Sequence, residues 1–131
     1  RVWQERGFGS GAAAVRQMLA FTERVSGEKE LLMVGYNAWF DISFIDHLFR
    51  SQNETWRKLF HYFVLALPSM AWGQKHRSLT GAVLSEELGI DAETSNPLLH
   101  TGLSGAEYNL RLYQALFAEP SSIQAPPLPA Q

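Results

Sequence analysis

Apolar positions recur at helical spacing from Ala12 onward, with Val15, Met18, Leu19, Thr22 and Val25 on one face and Arg16, Glu23 and Arg24 on others. The pattern predicts an amphipathic helix that follows the flexible "GFGSG" of Gly7–Gly11 and stops at Gly27. Leu31 to Tyr36 then reads as a short strand, apolar on both sides as in a parallel strand covered by helices. A second helical stripe, Ile42, Ile45, Leu48 and Phe49, begins just after Asp41, and Asn53 to Leu59 has room for a short helical turn. "HYFVLAL", His61 to Leu67, is the second strand, closed by Pro68. Helical segments are predicted at Ser69–Gly73, at Ser78–Leu88 with Gly89 as its stop, and along a stripe of Ala106, Leu110, Tyr113 and Phe117.

Strands alternating with helices predict α/β architecture. Two strands are few for a stable sheet, since natural sheets have roughly four to six, so strands are missed or part of the sheet is absent. The 131 residues, 46% of them apolar, suit one domain with a single core, and no internal repeat is evident. Residues 119–131 are proline-rich and expected to be extended and mobile, with a P-x-x-P-like "APPLP" that reads as linker.

Charge changes the picture little. A net charge of -2 with both signs spread along the chain announces neither a nucleic-acid face nor a disordered acidic run. The absence of cysteine excludes disulfides and thiolate metal sites and fits a reducing compartment. No apolar run is long enough to span a bilayer, so a soluble cytoplasmic protein with no membrane partner is expected.

Two stretches carry candidate chemistry. In "YNAWFD", Asp41 lies between the first strand and the helix after it, either as an N-cap or as a ligand, since ligands collect at strand ends in open α/β sheets. In "HTGLSGAEYNLRLYQAL", Ser104 and Glu107 have capping-box spacing, with Leu103 and Tyr108 placed as a hydrophobic staple. His100 precedes that helix without a local duty, and a loop histidine has the chemistry of a general base. "GQKHR", with Arg57 and Lys58, is a short basic cluster able to meet phosphates, and Trp3, Trp56 and Trp72 are either base-stacking or core residues.

Together these stretches resemble the later part of a DEDDh-type 3'-5' exonuclease, the group that includes RNase T and proofreading subunits. The resemblance runs from about Phe8 to Phe117. It implies an RNase H-like fold, lacking here the N-terminal antiparallel strands, with residues 1–118 as a partial exonuclease-like domain. It further implies four carboxylates holding two Mg²⁺ or Mn²⁺ ions, a histidine that activates water, and the 3' end of DNA or RNA as partner. Two cations about 3.5–4 Å apart suit phosphodiester hydrolysis because one generates hydroxide and the other stabilises the leaving oxygen.

Residue by residue, the second motif, H-N-A-x-F-D, matches Asn37, Ala38, Phe40 and Asp41, with Tyr36 in place of the histidine. Asp41 is then the metal ligand, and Asn37 and Trp39 flank the terminal nucleotide. The third motif, H-x-x-x-x-D, matches His100, the catalytic base, but has Gly105 at the aspartate position, with Glu107 or Asn109 as substitutes on the same helix. The first motif, D-x-E on an early strand, is expected upstream of Arg1, and the non-methionine start points to a segment of a longer protein. A non-catalytic module of the same fold, binding nucleic acid or protein, is the alternative. An unrelated small α/β domain is a third. Helices without their sheet would leave apolar surface that drives homo-oligomer formation or contacts with a parent protein.

Overall fold

The computed structural model describes residues 9–27, 29–76 and 78–118. Trp3, Gly7, Phe8, Arg77 and the proline-rich stretch 119–131 lie outside the described residues. Five α-helices and a two-stranded parallel sheet make a mixed α/β fold among them.

Helix α1, Gly11–Ser26, starts where the Ser10 hydroxyl accepts the Ala13 N–H at 3.3 Å, and it ends at Gly27 with φ 56°. That backbone conformation suits glycine, which has no Cβ to crowd the carbonyl. Strand β1, Met33–Gly35, leads through Asn37 into helix α2, Ala38–Arg50. The buried Gly35 ends the strand directly against the helix start, where a Cβ would sit in van der Waals contact 3.4 Å from the Ala38 Cα and Cβ. After a 3₁₀ turn at Trp56–Lys58, strand β2, Val64–Ala66, pairs with β1 in the register Met33–Val64, Val34–Leu65 and Gly35–Ala66. Parallel pairing requires a crossover, and α2 with the 3₁₀ turn supplies it. Helices α3, Leu67–Gly73, α4, Gly81–Leu88, and α5, Gly102–Phe117, complete the order, with Gly89 at φ 66° closing α4.

Several expectations are corrected. Helix α2 begins at Ala38 rather than after Asp41, so the cap position falls on Asn37, whose side chain makes no capping bond. Asp41 is in the first turn instead, where a carboxylate faces the positive end of the helix dipole. Both strands are shorter than their apolar runs. Pro68 does not stop β2 as a breaker; it lies in the first turn of α3, where its fixed φ and missing N–H are tolerated. The backbone of the flanking region still pairs, since the His61 N–H reaches the Leu31 carbonyl at 2.8 Å.

At α5 the cap is Thr101, not Ser104. The Thr101 hydroxyl accepts the Ser104 N–H at 3.1 Å, and the Ser104 hydroxyl accepts the Thr101 N–H at 2.8 Å. Ser104 thus takes the reciprocal role expected of Glu107, and Leu103 is exposed rather than stapled to the buried Tyr108. The stripe expected in the core is also rotated. Tyr108, Leu112 and Leu116 are buried, whereas Leu110 and Phe117 are exposed, because α3 and α4 cover the face that carries the former.

The core has two clusters. Leu67 and Ala71 of α3, Leu84 of α4 and Tyr108, Leu112 and Leu116 of α5 form one, with Val34 and Tyr36 packed against it. Val15 of α1, Phe49 of α2 and Leu59 form the other. The Tyr108 hydroxyl donates to the Gly81 carbonyl at 3.0 Å and lies 3.1 Å from the Ser85 hydroxyl, so the polar atoms between α4 and α5 are satisfied where they are buried. The expectation that the run Leu31 to Tyr36 is covered on both sides fails at Leu32, which precedes β1 and is 51% exposed. Among the described residues no helix is long and apolar enough to cross a membrane.

Candidate active site

A cleft of about 800 Å³ runs along β1 and the N-terminal half of α5. Leu32 to Tyr36 form one wall, and Gly105, Ala106, Asn109, Leu110 and Tyr113 of α5 form the other. Ala106 and Leu110 of the apolar stripe therefore line the cleft instead of filling the core, while Tyr113 lines the cleft and also packs against the first core cluster. Helix α2 brings Asp41 to it from the first turn after β1, and the segment between α4 and α5 brings Glu93 and His100.

Asp41 and His100 come from separate parts of the chain and share this cleft. The Asp41 carboxylate is exposed and makes no hydrogen bond or ion pair with another described residue. His100 is held more definitely. Its Nε2–H donates to Glu93 Oε1 at 2.9 Å, with side-chain exposures of 54% and 37%. Its backbone N–H donates to the Asn96 carbonyl at 2.9 Å, and the Asn96 side-chain oxygen accepts the Leu98 N–H at 3.0 Å, so an Asx turn shapes the approach to the ring.

Asn37 and Trp39, expected beside the substrate, are outside this lining: Asn37 occupies the α2 cap position, and Trp39 is 59% exposed on the helix surface. Of the two substitutes considered for Gly105, Asn109 lines the cleft and Glu107 does not. Tyr36, at the place of the motif histidine, is a strut. Its hydroxyl donates to the Leu79 carbonyl, and burial, with the neighbouring Tyr108 phenol, pushes its pKa above the ordinary value.

Glu93 escaped the sequence reading because it sits in the polar stretch "DAETSNP" with no periodicity or motif spacing to mark it. One signal was present. Asp91, Ala92 and Glu93 form a D-x-E, though on a loop between α4 and α5 rather than on an early strand, and only Glu93 of the pair lines the cleft.

A two-metal centre needs several hard oxygen ligands around each ion. Asp41 and Glu93 are the carboxylates on the cleft wall, yet among the described residues no three His, Asp or Glu side chains converge closely enough to hold a metal ion. The residues present do not fit such a centre by themselves.

The remaining candidates fall elsewhere. Arg57 lies over the rings of Trp56 and Tyr62 at 5.6 and 5.0 Å, and Lys58 pairs with Glu54 at 2.5 Å. His76 is bonded to Glu87 at 2.9 Å, and Trp72 is exposed. A smaller cleft of about 460 Å³ near the end of α1 is lined by Lys29, Arg57 and Lys58 together with Glu23 and Glu30, so its charge is mixed.

No protein-family model matches the chain. Neither a characterised protein nor a solved structure is significantly similar to it.

Proposed function

We propose that this chain is a DEDDh-like exonuclease domain of RNase H-like type whose cleft receives the 3' end of a DNA or RNA strand. One observation carries the reading. Asp41 and His100, selected from two motifs far apart in the chain, line the same cleft, which an accidental resemblance would not require. In this reading Asp41 is the carboxylate that meets a divalent cation, Mg²⁺ or Mn²⁺, and His100 is the general base.

His100 is suited to the task by its bonding. With Nε2–H donated to Glu93, Nδ1 keeps its lone pair for a proton. In hydrolysis a water oxygen bonds to phosphorus, the bond to the leaving sugar oxygen breaks, the water proton passes to His100, and the leaving oxygen is protonated from solvent. A positioned base of this kind contributes about 10²–10⁴-fold. Divalent cations supply charge neutralisation in such reactions. The cysteine-free composition supports a cytoplasmic setting, and exposed Leu32 and Leu110 at the cleft offer apolar surface to a second copy of the chain.

Gly105, with no three converging ligands among the described residues, favours a second reading, a module that binds nucleic acid or protein without cutting. One assay separates the two. A 5'-labelled single-stranded oligonucleotide is incubated with Mg²⁺ or Mn²⁺ and the chain, or its Asp41→Ala and His100→Ala variants. Metal-dependent shortening from the 3' end, lost in both variants, is the expected result. Binding without shortening by folded protein would establish the second reading, and neither binding nor shortening would reject a nucleic-acid role.

A further inference from the structure

We propose that Glu93 is the positioning carboxylate of His100 and that position 105 is glycine because a side chain there would displace it. The proposal rests on the reading of His100 as the proton acceptor of the cleft. Two independent distances meet at one atom. Glu93 Oε1 accepts from His100 Nε2 at 2.9 Å, and the same oxygen would lie 3.2 Å from a Cβ built on Gly105. Contacts of that length require one partner to yield by a few tenths of an ångström.

Glycine at 105 has no local justification. It lies inside α5, past the Thr101–Ser104 capping box, with an ordinary backbone conformation and not the positive φ that glycine alone adopts easily. Helix interiors disfavour glycine by about 0.5–1 kcal/mol, and unlike Gly102, which has open space around it, Gly105 has a neighbour in the path of a side chain. The Glu93 carboxylate occupies that space.

Carboxylate oxygens only accept, so the bond requires the hydrogen on Nε2 and leaves Nδ1 bare. Tethering of the His100 N–H to Asn96 fixes the ring's backbone, and Glu93 then fixes the ring's rotation and tautomer. Both side chains are partly exposed, and a hydrogen bond open to water contributes little net stability. The pair's consequence is orientation: a single lone pair presented in a cleft that also holds Asp41.

The test is long-range ¹H–¹⁵N NMR of the neutral His100 ring, assigned with His100→Ala, in the wild-type chain and in Glu93→Ala and Gly105→Ala. The ratio of the Nε2–H to the Nδ1–H tautomer is expected to fall several-fold in both variants toward that of an unpaired histidine. An unchanged ratio in Glu93→Ala would overturn the positioning role, and an unchanged ratio in Gly105→Ala would overturn the account of the glycine. Where the wild type shortens oligonucleotides, Glu93→Ala should lower kcat on the order of tenfold with KM unchanged. Because the NMR signature needs no activity, a tautomer shift without any nuclease would uphold the Glu93–His100 pair while refuting the exonuclease reading.

Discussion

Gly105→Ala is the substitution with the most to reveal, because two effects of opposite sign meet at one atom. Replacing a helix-interior glycine by alanine stabilises by about 0.5–1 kcal/mol through backbone entropy and helix propensity. Against this, the new Cβ would lie 3.2 Å from Glu93 Oε1, so the carboxylate must give by a few tenths of an ångström, which weakens its bond to His100. An exposed hydrogen bond from a neutral imidazole to a carboxylate is worth about 0.5–1.5 kcal/mol. The two nearly cancel, so Gly105→Ala alone should change stability by less than about 0.5 kcal/mol. In a Glu93→Ala background the obstruction is gone. The same substitution should then stabilise by its full 0.5–1 kcal/mol, roughly 2–5 °C in Tm for a chain of this size. Urea unfolding followed by far-UV circular dichroism, with replicate midpoints for all four members of the cycle, measures the difference. Equal increments in the two backgrounds would refute the placement of Glu93 over position 105.

Further consequences follow from the packing. Tyr36→Phe should flatten the alkaline limb of stability. The folded-state pKa of Tyr36 lies above the ordinary 10.0, so its contribution is intact below that pH and is lost as pH rises through the folded value. Chemical unfolding at pH 9 and 11 should show a smaller loss in the variant, and parallel losses would discount the part-buried Tyr36 phenol. Leu112→Ala, at a fully buried position, should cost about 2–5 kcal/mol by denaturant midpoint, whereas Leu110→Ala at the exposed cleft wall should stay within about 0.5 kcal/mol. Thr101→Ala should cost about 1 kcal/mol through the lost cap, and Glu107→Ala almost nothing, the reverse of what the S-x-x-E spacing predicts.

Elements whose causes are local were legible in the amino-acid order. The stripe Val15, Met18 and Leu19, the stop at Gly27, the stop at Gly89 and the two apolar runs that become β1 and β2 all follow from periodicity and backbone preference within a few residues. Asp41 and His100 were singled out as candidates because each belongs to a short motif, and the fold places both on one cleft. What needed the tertiary structure depends on contacts between distant segments. Helix α5 has two apolar stripes, and only the packing of α3 and α4 decides that Tyr108, Leu112 and Leu116 are buried while Ala106, Leu110 and Tyr113 line a cleft. The S-x-x-E spacing pointed to Ser104 as the cap, and the geometry of the incoming loop selects Thr101 instead. Glu93 had no pattern to betray it, and Gly105 looked like a missing ligand. The distance between them exists only in the folded chain, where a carboxylate from one loop fills the space that a side chain on the helix would otherwise take.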